Sequence, residues 1–310
     1  MKILITGVAG FIGSNLADFL LKKGHQVIGI DNLAYGVKEQ IPEKVNFHKE
    51  DIRSTKIYPL FKNVDVVFHL AAKNCISDCE KNPVSTSDIN VTGTINVFEA
   101  AKRAVVKKII YAESASVYEG SNVFPTPEKE ERPISFYGTS KFSNNHFAQI
   151  YKKTYGMNLT ALRYFCVYGP RQDYRRTVPP VMSAFIIKLL KEENPIIYGT
   201  GKKRRDFIHI NDINKFHLLC LTNKETDNRV FNLGSGKNYS IIEIYKLISE
   251  LLNTKISPIY KDDLPGECQN TLADIKRAKK LGWKPEIDIE TGLRGMIKYI
   301  KKEIKKGNIK

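Results

Sequence analysis

The apolar run KILIT (2–6) passes directly into Gly7-Val8-Ala9-Gly10-Phe11-Ile12-Gly13, and this junction constrains the fold more than any other segment. Glycines at GxxGxxG spacing between a strand and a helix allow a tight turn and a close backbone approach. They leave the helix N-terminus open toward an anion. The same rhythm continues downstream. Apolar runs rich in β-branched residues at QVIGI (26–30), VNFHK (45–49), VDVVFHL (64–70), KKIIYA (107–112) and NLTALRY (158–164) alternate with helical patterns near 11–23, 55–62, 83–104 and 137–155. Continuous apolar strands separated by helices predict a parallel sheet covered on both faces, with right-handed crossovers. The expected class is α/β, a doubly wound parallel sheet.

A length of 310 residues predicts about two domains. After residue 166 the pattern loosens, with prolines at 170, 179, 180 and 195 and the basic turn GTGKKRRDF. Helical stretches near 178–192, 212–222, 240–253, 273–281 and 289–305 predict a smaller, helix-rich second lobe. The expected division is a first domain at 1–166, completed by about 207–235, with the second lobe mainly at 167–310. Hydrophobic residues at 42% and charged residues at 26% exclude a disordered chain or a coiled-coil rod.

No apolar run of about 18 residues occurs, so no membrane span is expected. The opening residues read as a strand and turn rather than a signal peptide. The odd set of cysteines (Cys75, Cys79, Cys166, Cys220, Cys268) reads as reduced thiols of a cytoplasmic protein, and their spacing points to no metal site. The net charge of +16 is spread along the chain and carried largely by lysine, which suits solvated surface better than base readout. Neither a nucleic acid nor a membrane is expected as a partner.

Asp31 ends the second strand, 24 residues after Gly7. A carboxylate there accepts both hydroxyls of an adenosine ribose and repels a 2′-phosphate, which selects NAD over NADP. Asp51, after the third strand, stands where it could reach the adenine.

Tyr137 and Lys141 in YGTSK fall at i and i+4, on one helical face. Upstream, KKIIYA runs into Glu113-Ser114-Ala115-Ser116-Val117-Tyr118 at the strand edge where ligands of open α/β sheets bind. A free tyrosine titrates near 10, too high for a base at neutral pH. A neighbouring ammonium and a cationic nicotinamide would lower that value. A serine nearby can hold the substrate oxygen.

With those segments in place, TGVAGFIGS, Asp31-Asn32-Leu33, HLAAK (69–73), Asn90 in NVTGT, SASVY, YGTSK, RYFCVYGPRQ, RRDFIHINDI, FNLGSG and LADIKRAKKLGW together resemble an extended short-chain dehydrogenase/reductase over essentially the whole chain. Their order is that of the NAD-dependent nucleotide-sugar epimerases, of the UDP-glucose 4-epimerase type. The resemblance implies a Rossmann domain, tightly bound NAD, a UDP-hexose substrate and a homodimer formed through 83–104 and 137–155. It implies Tyr137 as base, Lys141 on the nicotinamide ribose and Ser114 on the sugar 4-hydroxyl. It further implies cofactor contacts from Gly7, Gly10, Phe11, Ile12, Gly13, Asp31, Asn32, Asp51, Ile52, Leu70, Ala71, Ala72, Asn90 and Phe165. Substrate contacts are implied for Lys73, Ser116, Cys166, Arg205 and Thr271, with Arg205 on the diphosphate.

The departures carry information too. Where related dehydratases read Thr-Asp-Glu, this chain has Ser114, Ala115 and Ser116, so epimerisation without loss of atoms is favoured. Cys166 stands for the usual asparagine, and Leu264 for the arginine usual just before Gly266-Glu267. Thr271, five positions after Gly266, is small where glucose-restricted relatives carry tyrosine, which predicts acceptance of N-acetylated sugars as well. The alternatives are another nucleotide sugar such as a UDP-uronate, paired by Arg175 or Arg176, and a non-catalytic NAD-sensing or RNA-binding protein, whose relatives commonly lack the Tyr or Lys.

Overall fold

The computed structural model describes residues 1–176, 178–263 and 267–309. The chain forms two compact units. One comprises 1–122, 128–164 and 214–232; the other comprises 123–127, 165–213 and 233–310.

The first unit is built on strands β1 (Lys2–Thr6), β2 (Gln26–Ile30), β3 (Asn46–His48), β4 (Val66–His69), β5 (Lys108–Ser114) and β6 (Leu159–Tyr164), all parallel. The sheet order is β10-β6-β5-β4-β1-β2-β3, where β10 is Val230–Leu233. The strand order therefore reverses between β1 and β4, the crevice where open α/β sheets take ligands. Helices α1 (Phe11–Lys22), α2 (Ile76–Lys81), α3 (Pro83–Ser87), α4 (Gly93–Arg103) and α5 (Phe136–Tyr155) belong to this unit. The core behind the sheet gathers Leu4, Ile30, Val67, Phe98, Tyr111 and Ala161.

Two expected helices change character. The pattern at 83–104 is not one helix: a π turn at Asp88–Thr92 separates α3 from α4. Its Asn90 side chain bonds the backbone of Lys73, accepting from the N–H at 2.8 Å and donating to the carbonyl at 2.9 Å. A bulge at that point turns the amide inward, a common use of such turns. The stretch at 55–62 is a 3-10 helix, Thr55–Phe61, with Pro59 inside it.

Arg163 on β6 is fully buried beside its register partner Glu113 on β5, Nε to Oε2 at 2.5 Å. Its remaining N–H groups reach the Tyr118 hydroxyl, the Glu128 carbonyl and the Glu131 carboxylate at 2.6–2.7 Å. A buried guanidinium is tolerated only when its donors are satisfied in this way.

The second unit carries α6 (Val181–Leu190), α8 (Ile241–Leu252), α9 (Lys276–Lys279) and α10 (Ile289–Lys305), while α7 (Ile210–Thr222) begins in it. Beyond the expected helices it holds two small sheets. One is ordered β11 (Asn238–Ser240), β9 (Arg204–His209), β7 (Cys166–Tyr168); the other pairs β12 (Ile259–Lys261) with β8 (Ile196–Tyr198). Most of these strands have three residues, too few for an alternating pattern to be read. The helix expected at 273–281 shrinks to α9. Among the described residues no helix is long and apolar enough to cross a membrane.

Two histidines, His69 and His217, are buried in the first unit, and burial pushes both down to about 3. The unfolded chain titrates them near 6.5, so it binds protons that the fold does not. Stability is complete above that value and falls as pH drops below it. At pH 5 each costs about 2 kcal/mol. Urea unfolding at pH 7 and pH 5 should show this loss, and His217→Gln should remove about half of it. A midpoint unchanged between the two pH values would mean the histidines are solvated.

Candidate active site

The turn after β1 is built by close approach. Gly7 has φ +75°, and its N–H donates to the Ile30 carbonyl at 2.8 Å. A Cβ on Gly7 would stand 2.7 Å from the Ala71 nitrogen, and one on Gly13 only 2.1 Å from the Gly7 oxygen. Both are sub-contact distances, so only glycine fits. Helix α1 then starts at Phe11 with no side-chain cap from Gly10. The first N–H groups of a helix, here Phe11, Ile12 and Gly13, have no intrahelical acceptor and face outward as an anion seat.

Asp31 sits beside this turn at the end of β2. Its oxygens accept the Ala9 N–H at 3.0 Å and the Leu33 N–H at 2.8 Å. Burial pushes its pKa up while those bonds oppose the rise. Each oxygen keeps a lone pair for a ligand hydroxyl. Uncapped N–H groups, a cradle that a Cβ would fill and a half-buried acceptor together fit a dinucleotide.

Asp51, expected at an adenine, is committed otherwise. Arg53 donates to it from its backbone N–H and Nε at 2.9 Å and from Nη2 at 2.8 Å, and Asn32 donates Nδ2 at 2.8 Å. These fill the carboxylate's acceptor positions and hold it well below the usual range, chiefly through Arg53. Asp51 thus braces the Asp31–Asn32 corner, and Ile52 beside it is buried.

Behind the turn runs a hydrogen-bond chain that the sequence did not disclose. Thr94 Oγ1 donates to the Asn90 carbonyl at 2.6 Å, so it accepts from His69 Nε2 at 2.9 Å. His69 Nδ1 is then an acceptor, taking the Thr6 hydroxyl proton at 2.7 Å. Thr6 Oγ1 in turn accepts the Leu70 and Ala71 N–H groups, both at 3.2 Å. This fixes the neutral tautomer and sets the Leu70-Ala71-Ala72 loop. Asn90 Nδ2 also reaches Ser140 Oγ on α5 at 3.0 Å. Lys73 is buried, with its ammonium on the Asn82 carbonyl at 3.4 Å.

Ser114 closes β5 and caps the 3-10 turn Ala115–Tyr118. Its hydroxyl donates to Ser116 Oγ at 3.0 Å and accepts the Ser116 N–H at 3.1 Å. Tyr137 and Lys141 are both buried on α5, whose N-cap Ser135 accepts the Gly138 N–H. Lys141 Nζ donates to the Ala112 carbonyl at 3.0 Å, two residues from Ser114. Burial lowers its pKa to about 8, with the Glu113 carboxylate opposing the fall. The ammonium therefore survives at neutral pH inside a desolvated site.

Cys166, Arg205, Thr271 and Phe165 belong to the second unit. Arg205 on β9 donates to the Arg204 carbonyl at 3.0 Å and lies 3.7 Å from the Glu267 carboxylate. Lys203 pairs with Asp263, and with Glu267 at 2.7 Å. Thr271 bonds along β9: its N–H donates to the Arg204 carbonyl at 3.1 Å and its Oγ1 accepts the Asp206 N–H at 3.0 Å. Asp206, not singled out from the sequence, accepts N–H groups of Ser235, Gly236 and Ala273 and so joins FNLGSG to TLAD. Burial pushes the Cys166 thiol up to about 11, which keeps it neutral. Phe165 is buried. Leu264 and Gly266 lie outside the described residues.

The family model of the NAD dependent epimerase/dehydratase family matches residues 3–234. A putative UDP-glucose 4-epimerase of Methanocaldococcus jannaschii is 39% identical over 303 residues, covering 96% of this chain and 98% of the relative. A UDP-glucuronate 4-epimerase of Thermodesulfobacterium geofontis is 37% identical over 319 residues, covering 97% and 96%. The structure of a UDP-N-acetylglucosamine 4-epimerase from Methanobrevibacter ruminantium M1, in complex with UDP-N-acetylmuramic acid, superposes with a TM-score of 0.93 at 33% identity, covering 97% and 98%. The chain belongs to the NAD-dependent epimerase/dehydratase family and is an NAD-dependent nucleotide-sugar epimerase.

The cradle makes a direct prediction. Asp31→Ala should weaken NAD retention and relax discrimination against NADP, and Gly13→Ala, whose Cβ must displace the Gly7 carbonyl, should abolish retention. Cofactor released on denaturation, quantified by absorbance and chromatography, reads both. Full NAD occupancy in Gly13→Ala would show that this turn does not hold the pyrophosphate.

Proposed function

We propose that the chain interconverts UDP-glucose with UDP-galactose, and UDP-N-acetylglucosamine with its 4-epimer, through a 4-keto intermediate. The observation that carries the reaction is the buried Tyr137–Lys141 pair, with the Lys141 ammonium fastened to the strand that ends in Ser114. NAD, when bound, supplies the hydride acceptor and donor for C4 of the sugar. Gly7, Gly10 and the N-terminus of α1 hold its pyrophosphate, Asp31 holds the adenosine ribose, and Lys141 holds the nicotinamide ribose. Tyr137 takes the proton of the 4-hydroxyl as the ketone forms and returns it after the sugar has turned over. Lys141 stabilises the phenolate between those steps. Ser114 orients the hydroxyl.

The strand edge offers Ser114, Ala115 and Ser116 and no carboxylic acid at those positions, which supports epimerisation over water loss. Arg205 is the basic side chain assigned to the diphosphate. The uronate alternative relied on Arg175 or Arg176. Both lie with Nε against the same carboxylate, Asp173, at 3.1 and 3.6 Å, which offsets part of their positive charge. That supports a neutral sugar. Exposed Ile150 and Tyr155 on α5 support a homodimer.

Tyr137→Phe keeps the ring and removes the phenolic oxygen. Turnover should fall by ~10²–10⁴-fold with the fold intact. In the wild type, kcat should also decline as pH rises past about 8, where Lys141 loses its charge. Near-normal turnover in Tyr137→Phe would sink the mechanism.

Thr271 carries the sugar range. A small side chain leaves space beside the C2 substituent, and its hydroxyl, held as an acceptor by Asp206, keeps a proton for an acetamido oxygen. Forcing a phenol into that space costs about 1–3 kcal/mol with the larger sugar. A panel of nucleotide sugars incubated without added NAD and followed by NMR should show both pairs interconverted. Thr271→Tyr should lose the N-acetylated pair selectively. Equal losses on both pairs would remove Thr271 from the sugar pocket.

A further inference from the structure

The 3-10 turn Ala115–Tyr118 has Ser114 as its N-cap, and its far end is held by Tyr118, a buried side chain. The Tyr118 hydroxyl accepts from Arg163 Nη1 at 2.7 Å and donates to Asn232 Oδ1 on β10 at 2.6 Å. The Arg163 guanidinium also faces the ring, 5.1 Å from its centroid. Burial pushes the Tyr118 pKa up, so the phenol keeps the proton that it donates.

Both partners of that hydroxyl are themselves fixed. Arg163 is the register partner of Glu113, the residue before Ser114, and bonds its carboxylate at 2.5 Å. The Glu128 carbonyl accepts from the same Arg163 Nη1 at 2.6 Å, and Glu128 Oε1 accepts the Asn232 N–H at 3.2 Å. In the sheet, β6 and β10 follow β5 in that order, so Tyr118 ties the turn at the end of β5 across its two successive neighbours. Backbone bonds clamp the same segment: the Val117 carbonyl accepts the Arg132 N–H at 2.7 Å, and the Gly120 N–H donates to the Arg132 carbonyl at 2.9 Å.

The start of the turn directs the serine. The Ser116 N–H donates to Ser114 Oγ at 3.1 Å, and Ser114 Oγ donates to Ser116 Oγ at 3.0 Å. The Ser114 hydroxyl therefore takes its direction from the position of Ser116. On the side of α5, a Cβ on Gly138 would stand 2.7 Å from the Ser116 carbonyl oxygen. The turn is thus seated directly against the helical residue that follows Tyr137.

We propose that Tyr118 is a positioning residue for the epimerase reaction: its hydroxyl, held between Arg163 and Asn232, fixes the turn that aims Ser114 at the hydroxyl which Tyr137 deprotonates. The proposal rests on the reading that Ser114 and Tyr137 meet the sugar 4-hydroxyl. Tyr118 acts through the turn and not on the substrate. A misplacement of about 1 Å in such a constellation costs up to roughly a hundredfold in rate, so a remote hydroxyl can matter to turnover.

Tyr118→Phe keeps the ring and removes both hydroxyl bonds. The test is a double-mutant cycle with Ser114→Ala, reading kcat and KM for UDP-glucose on the NAD-loaded enzyme. With Ser114 present, Tyr118→Phe should lower kcat roughly tenfold and leave KM nearly unchanged. In the Ser114→Ala background the hydroxyl to be aimed is gone, and the same change should cost less than about twofold. Equal losses in the two backgrounds are what a merely structural role gives, and they overturn the proposal. Asn232→Ala removes the acceptor alone and should show a smaller loss with the same dependence on Ser114; it decides the matter if Tyr118→Phe does not fold. If Ser114→Ala alone keeps wild-type turnover, the underlying reading of the site fails, and the proposal with it.

Discussion

A neutral, buried histidine is the constraint on which the cofactor edge of this protein depends. His69 ends β4 and links Thr6, at the end of β1, to Thr94 on α4. Because the Thr94 proton is spent on the Asn90 carbonyl, the imidazole must donate at Nε2 and accept at Nδ1. A second ring proton would face the Thr6 hydroxyl, whose acceptor capacity is already drawn on by the Leu70 and Ala71 N–H groups. The loop after β4 is thereby pinned against the turn after β1, where a Cβ on Gly7 would meet the Ala71 backbone. Burial and hydrogen bonding agree in keeping the ring uncharged. The glycine turn, the β4 loop and the π turn are consequently one rigid assembly rather than three separate loops.

Much of the fold was legible in the sequence, because the first half of the chain states its period plainly. The strands at 2–6, 26–30 and 158–164 are apolar and each directly precedes or follows a helix, and the glycine turn can serve only one geometry. The placement of Tyr137 and Lys141 together on α5 was legible for the same reason: i, i+4 spacing in a helix survives any tertiary detail. What was hidden depends on side chains that override the local pattern. The 83–104 stretch keeps a helical period throughout, yet Asn90 bonds to Lys73 seventeen residues away and opens a π turn. Asp51 looks like a free acid after a strand. Only the fold brings Arg53 and Asn32 onto it. The three-residue strands of the second unit carry no period at all, and Asp206 within RRDF gave no sign that it would collect three distant N–H groups.

The electrostatics of the catalytic edge follow from strand geometry. Successive residues on β5 point to opposite faces. Ala112 offers its carbonyl to Lys141, Glu113 turns to Arg163, and Ser114 ends the strand at the ligand edge. The Glu113 charge is thus placed where it supports the Lys141 ammonium without reaching the reacting atoms. Its own cost of burial is offset in part by the guanidinium on the neighbouring strand. An ammonium that burial pushes down, and the Glu113 carboxylate holds up, stays charged at neutral pH, which is what the proposed tyrosine base requires. On the proposed mechanism, Ser114 and Ser116 add no charge beside Tyr137, which suits the edge to moving one proton out and back rather than to expelling a leaving group.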